Sequence, residues 1–370
     1  MKVLVITASL NERSGWGRYA RAVIDQLIAQ GADVTVCSED TGDVPYPVRI
    51  LHPVSSSRIA IAYVKNMLTV RRAAKDAEVV HALDGWPYGI YGFWAVLATT
   101  KRLFVTGIGT YSVAPLYAVG KSWVMRRMYS RASKVFCISN YTREQLMHAG
   151  IAPEILVTVH MGTSPFPALS SDELASLEKQ YDIPVTATPI ILTVGAIKER
   201  KGQLVTLRAT EILRRGHPKI LYIVAGMDDA AYLSEMERFI EAHDMQKNVR
   251  FVHDANDQAL AYLYSACDVF ALNSNTDEIQ HHFEGFGLVI IEAAQFGKPA
   301  VGSHGSGIED AIQDGKTGFL TRQGDATDVA EKIGRILERY AFFSGNAKLF
   351  HAAFNWSQMV STYIKYYKES

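Results

Sequence analysis

Short β-branched runs alternating with amphipathic stretches occur twice along this chain, and no other feature of the sequence restricts its fold as much. Residues 3–7, 34–37, 79–82, 103–106 and 135–139 are such runs in the first half, with residues 19–29 a helical stretch among them. The pattern restarts after residue 188 with residues 190–194, 220–225, 249–252, 269–272 and 299–302. Strand-length apolar runs separated by helical periods are the signature of βαβ units, whose strands pair in parallel and whose helices cover the sheet. The expectation is an α/β chain of two doubly wound, Rossmann-like domains. A stretch rich in Gly, Ser and Pro, GTSPFP at 162–167, reads as the linker. It divides the chain into a domain at residues 1–165 and a second at 166–354, with residues 355–370 a terminal helix joined to the first domain. That helix carries Met359, Val360, Tyr363, Ile364 and Tyr367 at helical spacing. A length of 370 residues with 48% apolar composition suffices for two cores of ordinary size. Open parallel sheets take ligands beyond the carboxyl ends of their strands, so two of them facing one another predict a site in the cleft.

Composition narrows the function classes. Cys37, Cys137 and Cys267 lie far apart and outside any CxxC or Cys/His ligand spacing, which argues against a disulfide framework or a zinc site and fits a reducing compartment. The N-terminal apolar run ends in Asn11, Glu12 and Arg13, too short for a membrane span and without the layout of a signal peptide. A cytoplasmic chain is expected. The net charge of +0 conceals an asymmetry: residues 1–168 hold 18 Lys and Arg against 11 Asp and Glu, whereas residues 169–370 hold 20 against 27. The excess is densest at residues 45–145, with 14 basic against 4 acidic residues, so the first half is expected to face an anionic partner. Within it, residues 121–134 mix Lys121, Arg126, Arg127, Arg131 and Lys134 with Trp123, Val124, Met128 and Tyr129. This reads as a basic amphipathic helix able to lie peripherally on the anionic inner leaflet of a membrane, and residues 58–75 are a second stretch of the kind. The same residues suit helices that pack an apolar stripe on the first sheet and solvate their cations. No nucleic-acid-binding motif accompanies the charge, so nucleic acid is not an expected partner.

Chemistry concentrates in FEGFGLVIIEAAQFGKP at 283–299. Gly285 and Gly287 open a helix with Leu288, Val289, Ile291 and Ala294 on its apolar face, and Gly297 followed by Pro299 closes it. Glycines at that start let backbone N–H groups approach a ligand closely, and the helix N-terminus carries partial positive charge suited to phosphate. Glu284 just before the helix and Glu292 inside it are separated by about 8–12 Å at a rise of about 1.5 Å per residue. Two carboxylates at that separation can accept hydroxyls from both ends of a diphosphate-linked molecule, which is the layout of a nucleotide sugar. An ordinary glycine turn with two solvated glutamates would show the same four residues, EGFG. Here, however, the segment stands between two strand-like runs.

The segment resembles the glutamate, seven residues, glutamate motif of the retaining family 4 glycosyltransferases, which have the two-domain GT-B fold. Residues 191–202 (ILTVGAIKERKG) are similar to that family's strand and basic phosphate loop, residues 261–274 (AYLYSACDVFALNS) to its helix and strand before the glutamates, and residues 305–320 to the segment after them. Residues 14–18 (SGWGR) resemble its glycine loop, and residues 136–143 (FCISNYTR) its late strand and helix start. The resemblance covers nearly the whole chain. It implies that Glu284 contacts the donor sugar, Glu292 the ribose, and the backbone of Gly285, Phe286, Gly287 and Leu288 the sugar and phosphates. It further implies that Lys201 meets the diphosphate and that Gly15 and Gly17 approach the donor phosphate. A tight strand-to-helix turn would explain those two glycines equally well. Many members carry an arginine after the glycine matched by Gly195. This chain has Ala196 there, with Arg200 as the substitute cation; a solvated turn would equally account for Lys198, Arg200 and Lys201.

A second departure falls in TGIGTYS, where Ile108 occupies the place of a family histidine that contacts the donor sugar. Thr106, Thr110, Tyr111 and Asp84 are the polar substitutes within reach, and Asp84, Thr110 and Tyr111 are assigned to the acceptor side. His81 reads more readily as a core residue than as a catalyst, and the adjacent His281 and His282 as loop residues. The resemblance implies transfer of a sugar from a UDP- or GDP-type donor to a glycan or lipid-linked acceptor hydroxyl with retained configuration, as in bacterial cell-envelope, lipopolysaccharide or exopolysaccharide synthesis. No cofactor beyond the substrates is expected. No carboxylate cluster suggests a divalent ion, so metal independence is expected as well. Two other classes share these features: a nucleotide-sugar epimerase or hydrolase, which needs no acceptor, and a non-catalytic nucleotide-sugar-binding partner.

Overall fold

The structure is a computed structural model describing residues 1–12, 14–53, 59–183, 188–227 and 229–369. Arg13, Arg58 and Ser370, each part of a stretch read above, lie outside the described residues. The chain divides into two compact units, the first made of residues 1–162, 279–285 and 355–370, the second of residues 163–278 and 286–354.

In chain order the first unit comprises β1 (Lys2–Ile6), α1 (Gly15–Ala29), β2 (Asp33–Ser38), β3 (Val48–Ile50), α2 (Ile59–Ala73), β4 (Val79–Ala82), α3 (Ile90–Val96), β5 (Arg102–Gly107), α4 (Thr110–Val113), α5 (Ser122–Arg131), β6 (Ala132–Cys137), α6 (Asn140–His148) and β7 (Leu156–Thr158). The second comprises α7 (Ser171–Tyr181), β8 (Ile190–Val194), α8 (Gln203–Arg214), β9 (Leu221–Ala225), α9 (Ala230–Ala242), β10 (Val249–Val252), α10 (Asp257–Ala266), β11 (Val269–Leu272), α11 (Leu288–Gln295), β12 (Ala300–Ser303), β13 (Gly318–Thr321), α12 (Ala326–Glu338) and α13 (Tyr340–His351). The terminal helix α14 (Trp356–Glu369) belongs to the first unit.

The first unit is a seven-stranded parallel sheet of order β3-β2-β1-β4-β5-β6-β7. Its central strands are buried on both faces, as Val3 to Ile6 of β1 and Val79 to Ala82 of β4 illustrate, which is why they read as unbroken apolar runs. On one face Leu4, Ile6, Val80, Leu103 and Val105 pack with Tyr91 of α3 and with Met125, Met128 and Tyr129 of α5. On the other, α14 lays Tyr363 on Phe136 at a ring separation of 4.3 Å and Tyr367 on Phe104 at 4.8 Å. A buried polar network runs through this contact. The Tyr367 hydroxyl donates to His81 Nδ1 at 2.5 Å, while His81 Nε2 and the Tyr19 hydroxyl both donate to Thr106 Oγ1, at 2.9 and 3.1 Å. Burial pushes the His81 imidazole down to about 3, so it is neutral and part of the core.

The second unit holds a six-stranded parallel sheet of order β10-β9-β8-β11-β12-β13, with Ile191, Tyr222, Val224, Val269, Ala271 and Val301 in its core. The second unit starts at Thr163, where Thr163 N donates to Phe354 O at 3.2 Å, whereas the linker reading put the boundary near residue 165. Residues 279–285 also depart from that reading, because hydrogen bonds and close packing tie them to the first unit. Among the described residues no helix is long and apolar enough to cross a membrane, and all three cysteines are buried thiols.

Candidate active site

In a doubly wound sheet the chain winds outward in both directions from two adjacent strands, and ligands collect beyond the carboxyl ends of that pair. The strand order places these pairs at β1/β4 in the first unit and β8/β11 in the second.

At the first pair, Ser14 caps α1, its hydroxyl accepting from Gly17 N at 3.0 Å and donating to Asn11 O at 3.0 Å. A Cβ on Gly17 would lie 2.0 Å from the Asn11 carbonyl oxygen, so the turn itself demands that glycine. Gly15 is different: nothing lies within 4 Å of where its Cβ would be. Open space at Gly15 is what close approach of a ligand to the backbone requires. Across from this loop, two residues past the end of β4, stands Asp84. Its Oδ1 accepts from Gly85 N at 2.6 Å and from Ser112 Oγ at 2.7 Å, and the side chain is 98% enclosed, with 2% exposed. Oδ2 is buried without a hydrogen-bond partner among the described residues. Burial raises the Asp84 carboxyl from an ordinary 3.8 to about 7, against the opposing hydrogen bonds from Ser112 and Gly85.

Ser112 belongs to α4, and the start of that helix clasps the loop bearing Glu284. Thr110 Oγ1 accepts from Phe283 N at 3.2 Å, and a Cβ on Gly285 would fall 2.1 Å from the Ile108 carbonyl oxygen. The Phe283 ring is buried in the first-unit core, 5.0 Å from the Tyr141 ring. Ile108, Thr110 and Glu284 are thus brought together locally. The Tyr111 ring stands edge-on to Trp16, between Gly15 and Gly17 of the loop at the β1/β4 pair, at 5.3 Å, and His281 stacks on Tyr117 at 3.7 Å.

At the second pair, β8 ends at Val194 and the loop after it is anchored on both sides. Ile197 N donates to Met227 O at 2.8 Å, and Gln203 Nε2 donates to Ala196 O at 2.9 Å. The Lys201 side chain folds back over Gly195: a Cβ there would meet Lys201 Cε at 3.9 Å and Nζ at 4.0 Å. Arg200 lies on the same single turn of 3₁₀ helix, Glu199–Lys201. Gly202 then starts α8 in the left-handed conformation, pressed so closely on the end of β11 that a Cβ would sit 1.8 Å from Asn273 O. The β11 side supplies α11, whose cap is Gly287 at φ 85° with no side-chain cap. Both helices therefore begin at glycines beyond adjacent strands, where a helix start carries partial positive charge, although in α8 the Leu204 N–H is taken by the Tyr232 hydroxyl at 2.9 Å.

Within α11 the buried face is Ile290, Ile291, Ala293 and Ala294, not the face including Leu288 and Val289 read from the sequence; those two are partly exposed because they form the mouth of the helix. The Phe286 ring is buried and packs 5.7 Å from Phe354, so only its backbone can serve a ligand. Glu292 is itself buried, at 8% exposure, and its Oε2 accepts from the Tyr264 hydroxyl at 2.8 Å. Tyr264 is in turn wedged among Phe166, Phe270 and Phe296. Sequence reading missed Tyr264 as the partner of Glu292, although it stands in the quoted helix before β11. Glu284 and Glu292 belong to different units, 279–285 to the first and 286–354 to the second. Among the described residues no group of three or more His, Cys, Asp and Glu is placed to hold a metal ion.

Comparison with known proteins bears on the family and the fold. A family model described as Glycosyl transferases group 1 matches residues 178–348, and one described as Glycosyltransferase Family 4 matches residues 13–165. The GDP-mannose-dependent alpha-(1-6)-phosphatidylinositol monomannoside mannosyltransferase of Mycolicibacterium smegmatis is 26% identical over 76% of this chain and 73% of its own length. The D-inositol 3-phosphate glycosyltransferase of the same organism is 25% identical over 97% of this chain and 87% of its own. HepE of Anabaena, solved with UDP and glucose, superposes with a TM-score of 0.80 at 20% identity over 100% of both chains, a likeness of fold. With one family model on each unit and the two switch points built as described, the chain belongs to the family 4 glycosyltransferases of the GT-B fold.

Proposed function

We propose that this glycosyltransferase moves a sugar from a nucleoside diphosphate donor to an acceptor hydroxyl with retention of anomeric configuration and without a metal ion. The observation that carries the reading is the meeting, at the β8/β11 pair, of two glycine-led helix starts with Lys201 folded over Gly195. As the glycosidic C–O bond breaks, negative charge grows on the departing diphosphate. Preorganised N–H groups at the start of α11 and the cations of Lys201 and Arg200 stabilise that charge where it develops. Glu292, held by Tyr264, accepts hydrogen bonds from the ribose hydroxyls, and Glu284 from the sugar. The acceptor oxygen attacks the face the diphosphate leaves, and its proton passes to a leaving phosphate oxygen, so no protein base is assigned.

The printed donors of the relative and the fold neighbour, GDP-mannose and UDP with glucose, support a GDP- or UDP-type donor. The relatives' inositol phosphate and phosphatidylinositol acceptors, together with the basic surplus of residues 45–145, support an anionic, lipid-linked or phosphorylated acceptor in a cytoplasmic step of cell-envelope glycan synthesis. The test incubates the purified chain with UDP- and GDP-hexoses, with and without inositol phosphates and glycolipids, and reads the product anomer by proton NMR. Acceptor-dependent release of nucleoside diphosphate and a retained anomer, undiminished in excess chelator, are expected. An inverted anomer, or loss of rate in chelator, refutes retention or metal independence respectively. Donor consumption without acceptor points to an epimerase or hydrolase. Binding without any transfer points to a non-catalytic partner, the reading that Ile108 in the histidine position favours.

A further inference from the structure

We infer that Tyr117, acting through the ring of His281, is a positioning residue for Glu284 and thereby for the hold on the sugar half of the donor. The inference rests on the proposed reading of Glu284 as the carboxylate that meets the sugar. The loop carrying Glu284 is seated along the connection that joins β5 to α5. Gly285 presses on the Ile108 carbonyl, Phe283 N donates to Thr110 Oγ1 at 3.2 Å, and the His281 ring lies on the Tyr117 ring with centroids 3.7 Å apart and planes 15° from parallel. These seats fall on alternate residues, 281, 283 and 285, as they do where a chain runs extended and successive side chains take opposite sides. Glu284 therefore stands between two seats instead of on one.

The seats differ in kind. Phe283 is held by burial in the first-unit core, and Gly285 fits because it has no side chain. His281 has neither advantage. It ends the turn over residues 278–281 at φ 55°, a left-handed conformation that a residue with a side chain keeps where its surroundings impose it. The Tyr117 ring supplies that constraint, and Tyr117 is itself a fixed post: its N–H donates to Ala114 O at 3.1 Å at the end of a 3₁₀ turn, and Leu116 beside it is buried in the first-unit core. Yet Tyr117 is 46% exposed, so its ring is not spent on that core; an aromatic ring fixed in place and covered on one face by a loop residue serves the loop. A stacked ring pair is worth about 2- to 10-fold in an equilibrium constant. That is enough to shift a surface loop between a seated and an open form, because such loops open at the low end of a protein's local stabilities. Loosening the loop reaches the sugar contact of Glu284 and spares the nucleoside diphosphate, whose ribose and phosphates are assigned to Glu292 and Lys201.

The experiment compares the full chain with Tyr117→Ala, Tyr117→Phe, His281→Gly, His281→Phe and Glu284→Gln. Hydrogen exchange over residues 279–285, followed by mass spectrometry, reads the seating of the loop. Calorimetric titration with UDP-glucose, GDP-mannose, UDP and GDP reads the affinity of each nucleotide sugar relative to its own nucleoside diphosphate. Tyr117→Ala and His281→Gly should speed exchange by about 2- to 10-fold and lower that affinity ratio by a similar factor, with UDP or GDP affinity held. In His281→Gly the left-handed backbone is adopted without strain, so strain does not enter the loss. Tyr117→Phe and His281→Phe keep the stacked rings and should return both readouts to the parent's values, and circular dichroism checks that the fold is retained. The inference is overturned if ring removal leaves exchange unchanged, if it weakens nucleotide sugar and nucleoside diphosphate alike, or if the ring-keeping variants behave as the ring-free ones do. A parent that binds neither nucleotide sugar, or a Glu284→Gln variant with an unaltered affinity ratio, refutes the assignment of Glu284 to the sugar and the inference with it. That failure is told apart by exchange rates that still respond to loss of the rings.

Discussion

Replacing Asp84 by Asn asks whether the buried carboxyl beside the β1/β4 pair holds a proton near neutrality. Its pKa rises on folding from an ordinary 3.8 to about 7 because burial disfavours the charged form. The folded state therefore binds the proton more tightly than the unfolded chain, and stability is lost as pH climbs from the lower value toward the higher. At about 1.36 kcal/mol per pH unit, the loss amounts to roughly 4 kcal/mol in all, of which about 2.5 kcal/mol falls between about pH 5 and about pH 8. Asparagine keeps an oxygen to accept from Gly85 N and Ser112 Oγ but does not ionise. It places an amide where Oδ2 lies buried without a partner, a cost of about 1–3 kcal/mol that does not depend on pH. The prediction is thus a slope: the difference in unfolding free energy between Asp84→Asn and the parent moves by about 2.5 kcal/mol in favour of the variant from about pH 5 to about pH 8. Other titrating groups cancel in that difference. The assay suits the molecule because Trp16, Trp86, Trp94, Trp123 and Trp356 all lie in the first unit, so tryptophan emission during urea unfolding reports that unit alone. A difference that stays constant across this range would refute a raised Asp84 pKa.

Gly15→Ala should leave stability within about 0.5 kcal/mol while weakening nucleotide-sugar turnover, whereas Gly17→Ala should destabilise the first unit, since its Cβ meets the Asn11 carbonyl. Equal effects of the two changes on melting would contradict the distinction drawn between them. Lys201→Ala should lower kcat/KM by about 2–4 kcal/mol of transition-state stabilisation, roughly 30- to 1,000-fold, and unchanged turnover would remove that lysine from the diphosphate. Tyr264→Phe removes the donor to Glu292 Oε2 but keeps the ring packing, so donor KM should rise about 5- to 10-fold with melting shifted little. A pure loss of stability at unchanged KM would show that this hydrogen bond serves only the core.

How much of this was legible in the sequence depends on the range of the interactions. Strands at 79–82, 190–194, 249–252 and 269–272 are present residue for residue, because a strand covered on both faces shows itself as a short, unbroken apolar run. The strands β3, β7 and β13 left little trace: Val48–Ile50 and Leu156–Thr158 are three residues each, at sheet edges, where partial exposure dilutes the pattern. The loop holding Gly195 and Lys201 is built from neighbours in the chain, and its glycine and cation spacing could be read locally. The clasp of Thr110 on Phe283 could not, since its partners are 173 residues apart and no local rule pairs them. Tyr264 was hidden for a related reason, its ring belonging to an aromatic cluster gathered from four separate segments.

The first unit is assembled from three separate pieces of chain, and this governs how the protein can be cut and recombined. A fragment ending at Gly162 would lack Tyr363 and Tyr367, baring Phe104 and Phe136 to water and stranding the His81 imidazole without its phenol donor. It would also lose Phe283 from its core. A chimera that exchanges the amino-terminal half with that of a relative must therefore graft the short 279–285 loop and the terminal helix along with it, or it inherits a sheet missing one of its covers.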